Sequence, residues 1–271
     1  MQRSNFSLPN VHYKYSMSFH NKLLSSVALA HILTAIGLYV YWDPVMLIVG
    51  YLISSFIFVN IGQEAGLHRY FSHRSYTMPK WKENVILFLS IFALTGNSLG
   101  WVARHRTHHK HSDTDSDPHK AADWIRTWFW IEPKKPIMVN TNIVKDMLRN
   151  PLHRFTRDHY FKIYWGTIAL VALLLGPKIA LYFFIVVGAV DIHSSGLVNV
   201  FCHMYGYRNF ETNDSSTNNK WVNIWVKGAG LHNNHHAQPW NYTTKIKPGE
   251  WDLTGWFIKN LLSDQSLPKK I

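Results

Sequence analysis

Histidine carries the chemistry of this chain. Nine of its 17 histidines fall into three clusters and one outlier: HRYFSH with His68 and His73, HRTHH with His105, His108 and His109, HNNHH with His232, His235 and His236, and His203 apart. Neutral imidazole binds first-row transition metals, so clusters drawn together from distant segments would build a nitrogen-ligated metal centre. The single cysteine, Cys202, excludes an intramolecular disulfide, a cysteine-based zinc ribbon and an iron–sulfur cluster. On a helix turning ~100° per residue, positions i, i+3 and i+4 share a face, so each HxxHH triplet is expected to converge. His68 and His73 stand five apart, ~140° from each other on that geometry, and are expected to serve different ions. Two metals follow. His31 reads as a satisfied polar residue within a helix, and His12, His20, His111, His119, His153 and His159 as solvated or supporting residues.

Elements long enough to cross a bilayer must position these clusters. Four stretches, roughly 23–42, 45–65, 161–176 and 178–201, approach the ~20 apolar residues that span ~30 Å of hydrocarbon. Asp43 and Pro44 join the first pair, and Gly176, Pro177 and Lys178 the second, where proline and glycine end one helix and permit a reversal. A fifth apolar run, 85–100, is shorter and broken by Gly96, Asn97 and Ser98, so it is expected to lie in the interface or to line a pocket. The polar run 212–220 reads as a surface loop. Arg3, Lys14 and Lys22 precede the first apolar run, which shows no cleavage site and is expected to be a retained span. Of the 28 lysines and arginines only Lys178 lies in either short connection, so both termini and all the histidine clusters are expected on the cytoplasmic side. A hydrophobic content of 47% with a mean hydropathy of −0.12 requires an aqueous part beside the membrane part. The expected fold is an all-α membrane protein of one domain over 1–271, with four transmembrane helices and a cytoplasmic helical cap, about 66–160 and 202–271, holding a di-metal site.

The segments HRYFSHRSY, WVARHRTHHKHSDTDSDPH and HNNHHAQP, in that order, resemble the membrane-bound fatty acid desaturases of the acyl-CoA/acyl-lipid delta-9 type. The similarity runs from about residue 45 to about 260 and includes Asp117-Pro118-His119 and Gly206-Tyr207-Arg208. The HxxxxH spacing of the first cluster sets it apart from sterol desaturases and hydroxylases. The resemblance implies a di-iron centre on the cytoplasmic side of four spans, with all nine histidines as ligands. It also implies that His203 follows, by four residues, an asparagine that acts on an iron through water, here Asn199; the i, i+4 spacing fits independently. Two positions depart from the family pattern. Gly-Glu-Gly before the third cluster is replaced by Gly228-Ala229-Gly230, and Glu64 stands where a small or hydroxyl residue is usual. Glu64 is therefore expected to take over as the missing carboxylate, orienting a ligand histidine through its free ring nitrogen.

Removing hydrogens from an unactivated alkyl chain needs a redox metal and O2, because no side chain is a sufficient oxidant. The implied reaction inserts a cis double bond, with delta-9 the implied position, into a saturated acyl chain on CoA or lipid. Hydroxylation or acetylenation on the same scaffold and a histidine-rich metal transporter are the alternatives. No haem or flavin domain is apparent and no GxGxxG joins a strand to a helix, so electrons are expected from a separate ferredoxin or small haem protein. The net charge of +12 suits an acidic donor, the anionic bilayer surface or CoA phosphates, and no nucleic acid partner is expected. Leu52 and Phe56, one turn apart upstream of His68, are candidates to line the acyl tunnel. Asp191 and His193, ionisable residues within the fourth span, are expected to face a cavity or a partner.

Overall fold

The long helices begin where a side chain can satisfy free amides. Asp43 caps the helix starting at Pro44, accepting from the Met46 amide at 3.0 Å, and Asn150 accepts from Leu152 at the helix starting at Pro151. A computed structural model describes residues 12–13, 17–131 and 139–264. The chain runs through α1 (Met17–Val40), α2 (Pro44–Ser72), α3 (Lys80–Ala93), α4 (Ser98–His111), α5 (Trp124–Trp128) and α6 (Pro151–Leu175). It continues through α7 (Pro177–Phe201), α8 (Lys220–Val226), α9 (His232–Ala237) and α10 (Leu253–Phe257), the last prolonged by a π turn at Ile258–Leu262. Residues 12–13 and 139–140 pair as a minimal antiparallel ribbon; the side chain of His12 lies outside the described residues.

The reversals at Asp43–Pro44 and Gly176–Pro177 fall where the sequence predicts them. Among the described residues, three helices are long and apolar enough to cross a membrane, over Phe19–Val40, Pro44–Ser72 and Pro177–Phe201, and up to four if a bent pair is one span. The expected span 161–176 is the end of α6, which is not among them: Arg154, Arg157, Asp158 and Lys162 make its first half polar. The bent pair is α3 with α4, which meet at 84°. This all-α membrane fold exposes Ile32, Ile36, Ile48, Val49 and Leu173, a surface suited to lipid. Its core joins Leu23 and Ala30 of α1, Phe58 of α2, Phe92 of α3, Tyr164 of α6 and Tyr182 of α7. Gly50 and Gly62 let α2 approach closely; a Cβ there would stand 2.9 Å from the Tyr182 carbonyl oxygen and 2.7 Å from the Ser90 amide.

The run 85–100 is not one continuous helix. The chain breaks at Leu94 (φ 56°) and Gly96 (φ 102°), and this break is buried. Irregular backbone away from water must find partners within the protein. Tyr160 of α6 supplies them, its hydroxyl accepting from the Gly96 amide at 3.2 Å and donating to the Ile91 carbonyl at 3.1 Å. Thr95 then lines the central cavity, so the pocket-lining expectation holds for this part of the run.

Candidate metal centre

From Ser55 to Ser72, α2 is wound as a π-helix, whose amides bond five residues back rather than four. At its end the His73 amide donates to the His68 carbonyl at 3.3 Å. Residues five apart then share one face rather than standing ~140° apart, and the two rings meet edge to face with centroids 5.2 Å from each other. The expectation that they serve different ions is therefore corrected: both belong to one group. That group is His68, His73, His105, His109 and His235; the second is His108, His203, His232 and His236. Within each group, one ligand atom from every member lies within 4.8 Å of all the others.

The HxxHH triplets do not each converge as expected. His105 and His109 stay together in the first group and His232 and His236 in the second, while His108 and His235 cross over. Positions i+3 and i+4 are successive residues, ~100° apart, so a triplet between two sites places one ring on each side. The short helices α4 and α9 face each other and straddle both groups.

The ring nitrogens are arranged as ligands would be. His108 Nδ1 lies 2.9 Å from Asp117 Oδ1, and His236 Nδ1 lies 2.8 Å from Asp214 Oδ2. An ionised carboxylate only accepts, so each Nδ1 carries a proton, and in the neutral ring each Nε2 presents a bare lone pair. Those two Nε2 atoms face each other at 3.3 Å with no hydrogen to share, an arrangement that a cation relieves. His203 follows the same pattern, with Nδ1 3.3 Å from Asp113 Oδ1 and a buried Nε2 without a protein partner. In the first group Nε2 atoms approach at 2.8 Å for His73 and His105, and at 2.9 Å for His235 with His68 and with His109. Burial, reinforced by neighbouring histidines, holds His73, His232 and His235 well below the ordinary imidazole range; burial likewise brings His236 to about 4 despite Asp214. These four rings are therefore neutral at pH 7, the form that binds metals. Burial alone would raise Asp214, but bonds to His236, Ser216 and Thr212 hold it below the ordinary carboxylate range.

Glu64 sits beside a ligand histidine, its Oε2 2.8 Å from His68 Nδ1 and its Oε1 accepting from Arg69 Nε at 3.0 Å. Arg69, 1% exposed, also grips Asp252 with two bonds of 2.6 and 3.1 Å, tying α2 to the start of α10. Gly228 packs against that pair, where a Cβ would stand 2.1 Å from Asp252 Oδ1, and its φ of 141° favours glycine. The two asparagines of HNNHH anchor the short α9: Asn233 Oδ1 accepts from the Asn209 and Phe210 amides, while Asn234 Nδ2 donates to Glu250.

A cavity between α2, α7 and α8 is lined by His68, His105 and His232 of these groups and by Asn199. Its α2 wall is Tyr51, Ser55, Val59 and Gln63. Leu52 and Phe56, the expected tunnel residues, are on the neighbouring face. Leu52 is 53% exposed, and Phe56 packs on Phe257 at 4.5 Å. Asp191 lines the cavity, whereas His193 Nε2 meets His31 Nε2 at 3.2 Å and its Nδ1 accepts from Trp128 at 2.9 Å. His20 and His119 also line the cavity, while His153 is buried against Ser98. Sequence reasoning missed Arg69, Asp113, Asp214 and Asp252 as supporting residues, and noted Asp117 only through the family resemblance.

A family model for fatty acid desaturases matches residues 42–252. The chain belongs to the fatty acid desaturase family. This desaturase is 34% identical, over 79% of its length and 78% of the relative's, to a protein of Nostoc sp. (strain 36) named sn-2 palmitoyl-lipid 9-desaturase. It is 34% identical to an sn-1 stearoyl-lipid 9-desaturase of Anabaena variabilis, over 75% of each chain. An acyl-CoA 5-desaturase of Anemone leveillei is 32% identical over 78% of this chain and 68% of its own. The desaturase is thus an oxidoreductase acting on fatty acyl chains, and its two histidine groups are compatible with a di-metal site.

Proposed function

We propose that this desaturase uses two iron ions, O2 and two electrons from an external donor to insert a cis double bond, at the delta-9 position, into a saturated acyl chain. The observation that carries this reading is the convergence of nine histidines, six buried and three half-buried, into two groups whose members His68, His105 and His232 line one cavity. His68, His73, His105, His109 and His235 would hold one ion and His108, His203, His232 and His236 the other, with Asn199 acting through water. When bound, the iron pair supplies the oxidising power that side chains lack.

The protein's own residues do the rest. Asp117, Asp214 and Asp113 fix which nitrogen of His108, His236 and His203 faces inward, and Glu64 does so for His68. Burial keeps His73, His232, His235 and His236 unprotonated and excludes bulk water from the reacting carbons. The cavity between α2 and α7 receives the acyl chain. Two of the relatives described are named as acyl-lipid 9-desaturases and one as an acyl-CoA 5-desaturase; the first two names support delta-9, and the three together support a CoA or lipid carrier. Lys178, the one basic residue in either short connection, supports a site and termini on the cytoplasmic side of a multi-pass membrane protein. The net charge of +12 favours an acidic ferredoxin or small haem protein as donor.

Expression in a desaturase-deficient host followed by mass spectrometry of its fatty acids tests the reading. Loss of two hydrogens at carbons 9 and 10 is the expected product. Gain of one oxygen would make the protein a hydroxylase, loss of four hydrogens an acetylenase, and exchangeable zinc carried into vesicles a transporter.

A further inference from the structure

The cavity wall away from the metal groups is unlike that of a channel for plain hydrocarbon. It presents Tyr51 and Ser55 from α2, Asp191 and Ser194 from α7, Trp225 from α8 and Lys227 just after it. Asp191 is 1% exposed, and neither carboxyl oxygen has a hydrogen-bond partner in the protein. A buried carboxyl without a partner is destabilising, so its place on a ligand cavity calls for an explanation. Lys227 lines the same cavity, close enough to act on Asp191 through its charge but not bonded to it; its ammonium donates to the Trp225 carbonyl at 3.3 Å. The surrounding wall is held firmly. Trp225 Nε1 donates to Ser194 Oγ at 2.9 Å, and its ring stacks on Tyr51 at 5.7 Å. Along α7, Asp191 precedes Asn199 by about two turns, or ~12 Å.

We infer that Asp191 and Lys227 recognise a hydroxyl group on the acyl substrate, carried ~12 Å along the chain from the carbons at the metal centre. A hydroxyl fits this pair because it can exchange hydrogen bonds with the unpartnered carboxyl group while accepting from the ammonium. A chain without a hydroxyl leaves the Asp191 carboxyl unsatisfied, and an amine is repelled by Lys227. The inference rests on the desaturase reading for where the reacting carbons lie, while the recognition itself is a matter of binding alone.

The test measures displacement of a fluorescent fatty acid from the purified full chain in detergent. The competitors are stearic acid and a series of monohydroxystearic acids in which the hydroxyl steps along the chain. One hydroxyl position is expected to bind about tenfold more tightly than stearic acid. Asp191→Leu should erase that advantage while leaving stearic acid bound at least as well, and Lys227→Met should remove most of it in a chain that keeps Asp191. Equal binding of stearic acid and every hydroxy acid by the unaltered protein overturns the inference, as does an unchanged advantage in Lys227→Met. Equal weakening of both ligand types in Asp191→Leu also overturns it, since that outcome marks a purely structural carboxyl. A chain that prefers one hydroxy acid yet leaves host fatty acids unaltered would break the desaturase reading and leave this one standing.

Discussion

The two histidine groups are supported in different ways. In the group of four, three rings meet a carboxylate, His108 on Asp117, His236 on Asp214 and His203 on Asp113. In the group of five, Glu64 on His68 is the one such contact among the described residues; the other rings pack on one another, with Trp101 stacked on His105 at 5.1 Å. The smaller group compensates for fewer ligands with anionic partners that fix each ring and strengthen it as a donor. The larger group relies on ligand number, on a π turn and on a single carboxylate. A change at one group should therefore leave the other largely intact.

The largest effects should come from the ligands themselves. We expect His109→Ala and His236→Ala each to abolish desaturation in the host assay and to remove metal from their own group alone, so that elemental analysis finds about half the metal of the unaltered protein. Arg69→Met strips Glu64 and Asp252 of a buried cation, and should cost about 3–5 kcal/mol of stability, read as a lowered denaturation midpoint. Glu64→Gln and Asp117→Asn should each weaken metal binding by about 10- to 100-fold, the first only in the group of five and the second only in the group of four, as competition with a chelator would show.

Acid should act on both groups. The unfolded chain protonates these histidines near 6.5, whereas burial delays His236 to about 4 and holds His73, His232 and His235 well below the ordinary range. Between those values the unfolded form binds more protons, so stability is present above pH 6.5 and is lost as pH falls toward 4. Metal retention should fall through the same window, followed by denaturation and metal analysis at stepped pH. The smallest effect is expected at Leu52→Ala, on the outer face of α2: within about 0.5 kcal/mol in stability, with no change in the chain lengths desaturated in the host.

Much of this arrangement could be read from the sequence. Proline after Asp43 and after Gly176 marked both reversals, and apolar runs marked α1, α2 and α7. The nine histidines could be named because their spacing and type survive without coordinates. Their partition could not, because it depends on whether five residues make an α or a π turn near His73, and on which flank of α4 and α9 each ring leaves. The same winding explains the misplaced tunnel residues: the cavity face of α2 follows Tyr51, Ser55 and Val59, one position from the face carrying Leu52 and Phe56. The supporting aspartates were hidden for another reason. Asp214 reaches His236 from a polar loop, and no local spacing rule connects them. Glu64 was found because it stands before the first cluster where the family pattern has a small or hydroxyl residue, while Ala229 lacks the family's carboxylate.

The central claim is that His68 and His73 serve the same ion. Mössbauer spectroscopy of the iron-loaded protein, compared across His73→Ala, Glu64→Gln and Asp117→Asn, tests it most directly. The account predicts that His73→Ala perturbs the iron signal that Glu64→Gln perturbs and spares the one altered by Asp117→Asn. A His73→Ala spectrum in which the Asp117-dependent iron changes and the Glu64-dependent iron does not would contradict it.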